Sequence, residues 1–346
     1  MSKSSLYQGE IDLKKFKKIK RVSRGGFGIV YQVEDKKTKE LYAAKIIDCE
    51  DDEEKCNQMI QREISIMMYA KHPTIIKFIG YSKLDFQGEN NVTIIMEFAK
   101  NGSLRSVLKK IQEGDGPKDY TNTSRQIILI GVARGMKYLH DRNIIHRDLK
   151  TDNILLDEDF HPLITDFGLS KFFEVGHSYS QTKFGGTLPY EAPEILRKSK
   201  YDKKVDVFSF AILMFEILTD SVPYPELERE ELADFDFKNK VVNENYRPKF
   251  DFPIKESFQN LIEKCWSDDP SERPTFDEIF SKLANKNNDD FMLDDVDVDE
   301  INLYIDDITE VTDSTEKLLK RIDDVETENK KFKNENVQLK NENMQL

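Results

Sequence analysis

Cysteine is scarce: three occur in 346 residues, Cys49, Cys56 and Cys265, with no C-x-x-C spacing. That excludes a disulfide framework and a zinc site, and it points to reducing surroundings. Long apolar runs are missing as well. The longest, Phe208 to Leu218, is eleven residues and contains Glu216, so no membrane span is expected. The start, Met1-Ser2-Lys3-Ser4-Ser5-Leu6-Tyr7, has no apolar core of a signal peptide and no glycine for myristoylation. A cytoplasmic location is the expectation. Basic excess is also absent, since 52 Lys and Arg face 65 Asp and Glu for a net charge of −13, which gives no support for nucleic-acid binding. The acidity is local: residues 289–313 hold eleven acidic side chains and no basic ones, leaving −2 for the rest of the chain.

What is present begins with His146-Arg147-Asp148-Leu149-Lys150-Thr151-Asp152-Asn153, followed by Asp166-Phe167-Gly168 eighteen residues after Asp148. Asp148 can accept a proton from an attacking hydroxyl, while Asn153 and Asp166 offer hard oxygen ligands of the kind that hold Mg²⁺ against nucleotide phosphates. An H-R-D triplet by itself is a common surface sequence. Here it stands in line with other groups suited to phosphoryl transfer. Upstream, Val22-Ser23-Arg24-Gly25-Gly26-Phe27-Gly28-Ile29-Val30 has the small residues that let backbone N–H groups approach a triphosphate. Lys45 lies seventeen residues after Gly28, within Tyr42-Ala43-Ala44-Lys45-Ile46-Ile47, and Glu63 lies a further eighteen on. Ile60, Ile64, Met67 and Met68 recur at helical spacing around Glu63, which predicts an amphipathic helix.

In these motifs the chain resembles the eukaryotic protein kinases, over residues 16–283. The resemblance implies an α+β, two-lobed fold, with an N-lobe antiparallel sheet plus helix and a mainly helical C-lobe. It implies ATP and Mg²⁺ as cofactors and protein substrates as partners. By the same likeness Lys45 meets the α- and β-phosphates and pairs with Glu63, Asp148 is the base, and Asn153 and Asp166 hold the metal. The nucleotide is covered by Val22, Ser23, Arg24, Gly25, Gly26, Phe27, Gly28 and Val30. Its adenine edge meets the backbone at Glu97 and Ala99, with Met96 limiting the depth of the pocket. Asp206 braces the catalytic loop, and Arg273 pairs with Glu194 of Ala192-Pro193-Glu194, which closes the activation segment twenty-eight residues after Asp166. Two positions depart from the pattern. Ser23 stands where the first loop glycine is usual, tolerable if its φ stays negative, and Ala211 replaces a common helix glycine.

Lys150, two residues after Asp148, matches the serine/threonine form of the catalytic loop, as does Thr187. Cys265-Trp266 through Arg273-Pro274-Thr275-Phe276 resembles the tyrosine-kinase side. This mixture is typical of the tyrosine-kinase-like branch, whose members mostly phosphorylate serine and threonine. Competing readings are a pseudokinase scaffold that oligomerises, against which Lys45, Glu63, Asp148, Asn153 and Asp166 argue, and a tyrosine or dual-specificity kinase, which Lys150 and Thr187 disfavour. Ser178, Ser180 and Thr182 of the activation segment are expected autophosphorylation sites, because Arg147 beside the catalytic Asp commonly needs a phosphate partner.

Beyond residue 283 the charge pattern predicts a solvated acidic linker over 284–300. Ile301, Tyr304, Ile308, Val311, Thr315, Leu318, Ile322 and Val325 then open a repeat of three and four that continues to Leu346. This predicts a coiled coil over 301–346 and a homodimer, its seam weakened by Asn329, Asn336 and Asn343 at a positions. Two catalytic domains would then hang on short acidic tethers.

Overall fold

A computed structural model describes residues 9–25, 28–48, 53–172, 186–251, 253–287 and 289–310. Gly26, Phe27, Cys49, Ser178, Ser180, Thr182 and the repeat after residue 310 lie outside them.

The chain opens with β1 (Phe16–Gly25), β2 (Gly28–Asp35) and β3 (Leu41–Ile46), then α1 (Glu53–Tyr69), β4 (Phe78–Ser82) and β5 (Thr93–Glu97). The five strands form one antiparallel sheet in the order β1-β2-β3-β5-β4. Successive strand side chains point to opposite faces, and the burial follows that rule. Ala43, Ile94 and Met96 face the main core, whereas Ala44, Ile95 and Val33 join Leu13 and Phe16 in a small core on the other side. Helix α1 covers the first face with Ile60, Ile64 and Met67, all buried, at the predicted spacing.

The second lobe starts with β6 (Gly102–Ser103), α2 (Leu104–Gln112) and α3 (Asn122–Asp141), followed by β7 (Ile144–Ile145), β8 (Ile154–Leu156), β9 (Pro162–Ile164) and β10 (Lys171–Phe172). It continues through α4 (Pro193–Leu196), α5 (Lys204–Thr219), α6 (Pro225–Glu228), α7 (Asp234–Asn243), α8 (Glu256–Cys265) and α9 (Phe276–Leu283). Helix α3 begins at a reciprocal cap between Thr121 and Ser124 that satisfies two exposed N–H groups. Helix α5 is apolar all round because it is the axis of the lobe, with Val207, Phe210, Ala211, Ile212 and Leu213 fully buried. Strands β8 and β9 form a hairpin, Ile154 opposite Ile164 and Leu156 opposite Pro162. Its open end carries Asn153 on one side and Asp166 on the other. The two-lobed α+β expectation therefore holds.

The tail departs from expectation. The acidic segment is not a solvated linker: Phe291, Met292, Leu293 and Val296 pack against the core, and its backbone is tied down. The amide of Gln126 on α3 donates to the Phe291 carbonyl at 2.9 Å and accepts from the Leu293 N–H at 3.1 Å, and the Thr123 hydroxyl accepts from the Asp297 N–H at 2.8 Å. A helix over residues 298–310 follows, and its Ile301, Tyr304, Ile305 and Ile308 are buried on the same chain's catalytic domain. The acidic side chains are exposed while Phe291, Met292, Leu293 and Val296 pack against the core, Phe291 on Phe258 of α8, so the charge count misread a docked, amphipathic segment. A chain ended at Leu283 would bare this surface, and its melting temperature should fall by about 5 °C or more, with gain of apolar-dye binding. Scanning calorimetry of the two lengths checks this, and equal melting would refute it.

Cysteine also departs. Cys265 is a buried free thiol, but Cys56 is disulfide-bonded, so one crosslink exists where reducing surroundings predicted none. No described helix is long and apolar enough to cross a membrane.

Candidate active site

Strand β3 and helix α1 bring the upstream groups together. Lys45 on β3 and Glu63 on α1 meet in a buried ion pair, Nζ to Oε1 2.7 Å, and the same Nζ lies 3.1 Å from Oδ1 of Asp166. Burial pulls the Lys45 ammonium down, but the Glu63 and Asp166 carboxylates outweigh it and hold its pKa above the ordinary value. Burial likewise pushes Asp166 up, and Lys45 beside it prevails and holds it below the usual carboxylate range. Both groups are thus charged at neutral pH.

The catalytic-loop side chains converge on Asp148. Its Oδ1 accepts from the Thr187 hydroxyl at 3.1 Å, and its Oδ2 accepts from Asn153 Nδ2 at 2.9 Å and lies 2.9 Å from Lys150 Nζ. Lys150 Nζ also donates to the Thr187 hydroxyl at 2.5 Å, so Asp148, Lys150 and Thr187 form a closed triangle. Asn153 commits its amide N–H groups to Asp148, a second bond reaching the Asp148 carbonyl at 2.7 Å. Its side-chain oxygen is left as the atom suited to a hard cation. Arg147 and Asp166 both have positive φ, 71° and 66°, conformations that need support from their surroundings.

Asp206 on α5 supplies that support for Arg147. It is fully buried, and it accepts from the backbone N–H groups of His146 at 2.9 Å and Arg147 at 2.8 Å and meets His140 Nε2 at 2.8 Å. Burial pushes its carboxyl up, and the bond from His140 with the charges around it outweighs this and keeps it low. The cost of burying a carboxylate in this apolar helix is met by three donors. Arg273 grips Glu194 in a bidentate pair at 2.7 and 2.8 Å.

The residues expected to meet the nucleotide sit on β1, on β2 and at and after the end of β5. Ser23 sits in β1 opposite Val30 and is not among the positive-φ residues, so it meets the condition for replacing glycine. Arg24 and Gly25 are exposed, Val22 is largely exposed, and Val30 is half-buried. Gly28 cannot be anything else: its φ is 126°, and a Cβ there would lie 2.0 Å from the Ile46 carbonyl oxygen. Met96 is buried between the lobes, Glu97 ends β5 and exchanges backbone and side-chain bonds with Lys77, and Ala99 is buried in the connection that follows.

One buried network escaped the motif reading. Tyr190 donates to Glu216, which is also met by Arg105 Nη1 at 3.3 Å, and the Tyr190 hydroxyl lies 3.1 Å from that of Thr151 in the catalytic loop. Burial, against the pull of Tyr190 and Arg105, pushes the Glu216 carboxyl up to about 7. The signal available was a lone glutamate in an apolar run.

Comparison with known proteins agrees with this geometry. The Protein kinase domain family matches residues 16–283. Among curated relatives, a serine/threonine-protein kinase of Arabidopsis thaliana, STY17, is 34% identical over 79% of this chain and 45% of its own length. The probable serine/threonine-protein kinase drkC of Dictyostelium discoideum is 37% identical over 69% and 30%, and the human serine/threonine-protein kinase TNNI3K 34% over 65% and 26%. The chain therefore spans less than half the length of each of these relatives. With the motifs in order, the lobes in place and the family match covering most of its length, the chain belongs to the protein kinase family.

Proposed function

We propose that this protein transfers the γ-phosphoryl group of ATP to serine and threonine hydroxyls of protein substrates. The observation that carries this reading is the triangle of Asp148, Lys150 and Thr187, in which a hydroxyl already sits 3.1 Å from the carboxylate that would take its proton. In the reaction the substrate oxygen forms a bond to the γ-phosphorus, the bond to the β-bridging oxygen breaks, and the hydroxyl proton passes to Asp148. Lys150 places positive charge beside the transferring group. Lys45, fixed by Glu63, holds the phosphates, the loop from Val22 to Val30 covers them, and the backbone at Glu97 and Ala99 receives the adenine. Asn153 and Asp166, an amide oxygen and an ionised carboxylate, fit Mg²⁺, which when bound neutralises charge on the phosphates.

The test is incubation of the full chain with labelled ATP and a peptide array, followed by phosphoamino-acid analysis. Label on serine and threonine is expected. Label on tyrosine alone would favour a tyrosine kinase, and no transfer would favour the scaffold.

The reading includes activation by autophosphorylation on Ser178, Ser180 or Thr182, motivated by Arg147, whose guanidinium burial pulls down to about 10 and an anion would restore. Phosphatase treatment should lower activity about tenfold. Mass spectrometry showing fully active protein with an unmodified segment would overturn it. The reading also places the protein in the cytoplasm and includes a homodimer through the heptad repeat, tested by sedimentation of the full chain.

A further inference from the structure

The hairpin of β8 and β9 has two ends with different tasks. Asn153 and Asp166 flank its open end, joined by the bond from the Thr165 N–H to the Asn153 carbonyl at 3.0 Å. Its closed end is the turn from Asp157 to His161. Asp157 Oδ1 accepts from the N–H groups of Asp159 at 2.9 Å and His161 at 2.8 Å. Only three residue pairs separate the ends, about 10 Å of strand.

That closed end is where the tail docks. The Tyr304 ring stacks on His161 with centroids 4.7 Å apart. Tyr304 also meets Pro162, the first residue of β9, over Gly131 of α3: a Cβ built on Gly131 would lie 2.1 Å from the Tyr304 hydroxyl and 2.5 Å from Pro162 Cγ. A glycine at this point of α3 is what lets ring, proline and helix meet. The anchorage beyond it is broad, with Lys286 Nζ 2.6 Å from Asp306 and Ile301, Ile305 and Ile308 buried on either side of Tyr304. The Tyr304 hydroxyl has no hydrogen-bond partner: it meets Gly131 by van der Waals contact alone, while the ring lies tilted against His161.

We propose that Tyr304 is a positioning residue for phosphoryl transfer: the docked tail clamps the closed end of the β8–β9 hairpin and thereby holds Asn153 and Asp166 at the separation a divalent cation needs. Groups that orient metal ligands from behind commonly control affinity by 10- to 100-fold when removed, about tenfold at the lower end. The inference rests on the reading of Asn153 and Asp166 as the metal pair.

The test uses the full chain with Tyr304→Ala and Tyr304→Phe, read by Mn²⁺ titration in the presence of ATP under electron paramagnetic resonance, and by amide hydrogen exchange. Tyr304→Phe should match the parent in both, because the hydroxyl makes no bond. Tyr304→Ala should weaken Mn²⁺ binding about tenfold and speed exchange in residues 154–164. If Tyr304→Ala frees residues 298–310 in exchange but leaves hairpin exchange and Mn²⁺ affinity at parent values, the tail is only a cover and the proposal is overturned. If that variant fails to fold, Gly131→Ala approaches the same contact from α3 and must give the same pair of changes. Asp166→Asn is the separate control. Unchanged Mn²⁺ binding there would sink the metal reading, while the exchange data would still decide whether Tyr304 clamps the hairpin.

Discussion

Asp148→Asn should lower kcat by about 10³-fold or more while leaving the KM for ATP near the parent value. The substitution removes the proton acceptor and keeps only one of the two oxygens that accept from Asn153 and from Thr187, and a positioned general base is worth roughly 10²–10⁴ in rate. Asp166→Asn should be as costly by a different route. Its charge is held by Lys45, and losing it weakens the hold on cation and phosphates together, so the loss should respond to added Mg²⁺ where that of Asp148→Asn does not. Single-turnover rates across a Mg²⁺ series separate the two, with calorimetry to verify the fold. Turnover within tenfold of the parent for either variant would rule out the assigned role.

The second large effect is structural. Arg273 is 1% exposed and Glu194 5%, and the bidentate pair joins the end of the activation segment to the loop before α9. Arg273→Ala strands a buried carboxylate, which costs about 3–5 kcal/mol. Set against a total stability of roughly 5–15 kcal/mol, that is a third or more of what keeps a domain folded. We expect a fall in melting temperature of about 10 °C, and partial recovery when Glu194→Ala is added, because the uncompensated charge is then gone as well. A double variant no more stable than the single one would mean that packing of the guanidinium over Phe208, 5.3 Å from ring centroid to guanidinium carbon, and not its charge, is what the lobe depends on.

Contacts between groups close in sequence were the readable ones. The stretch from His146 to Asn153 is contiguous, so its side chains can only converge locally, whereas the pairing of Lys45 with Glu63 was legible only through the family resemblance, since a lysine in a strand and a glutamate on a helix are by themselves solvated groups. Asp206 was legible for another reason: a carboxylate in an apolar helix must find donors, and the nearest loop supplied them. What could not be read is what lay across the molecule. Tyr190, Glu216 and Arg105 come from three separate elements, and no spacing rule connects them. Periodicity in the tail correctly marked one apolar face on residues 301–308, but a period identifies a face and says nothing of what covers it. Gly131 is the same lesson from the receiving side, since a missing Cβ in α3 acquires meaning only once Tyr304 is seen against it.

A face can be covered once. Ile301, Tyr304 and Ile308, the first residues of the heptad stripe, are already spent on the catalytic domain, so a partner strand cannot take them without prising the helix away. A pair that keeps the helix docked begins at Val311, and Asn329, Asn336 and Asn343 then weigh more heavily on a shorter seam. The acidic segment, being seated, provides no slack either. Whether one kinase domain of such a pair reaches the other's activation segment then becomes a question of angle and reach, because the seated segment adds no length to the tether.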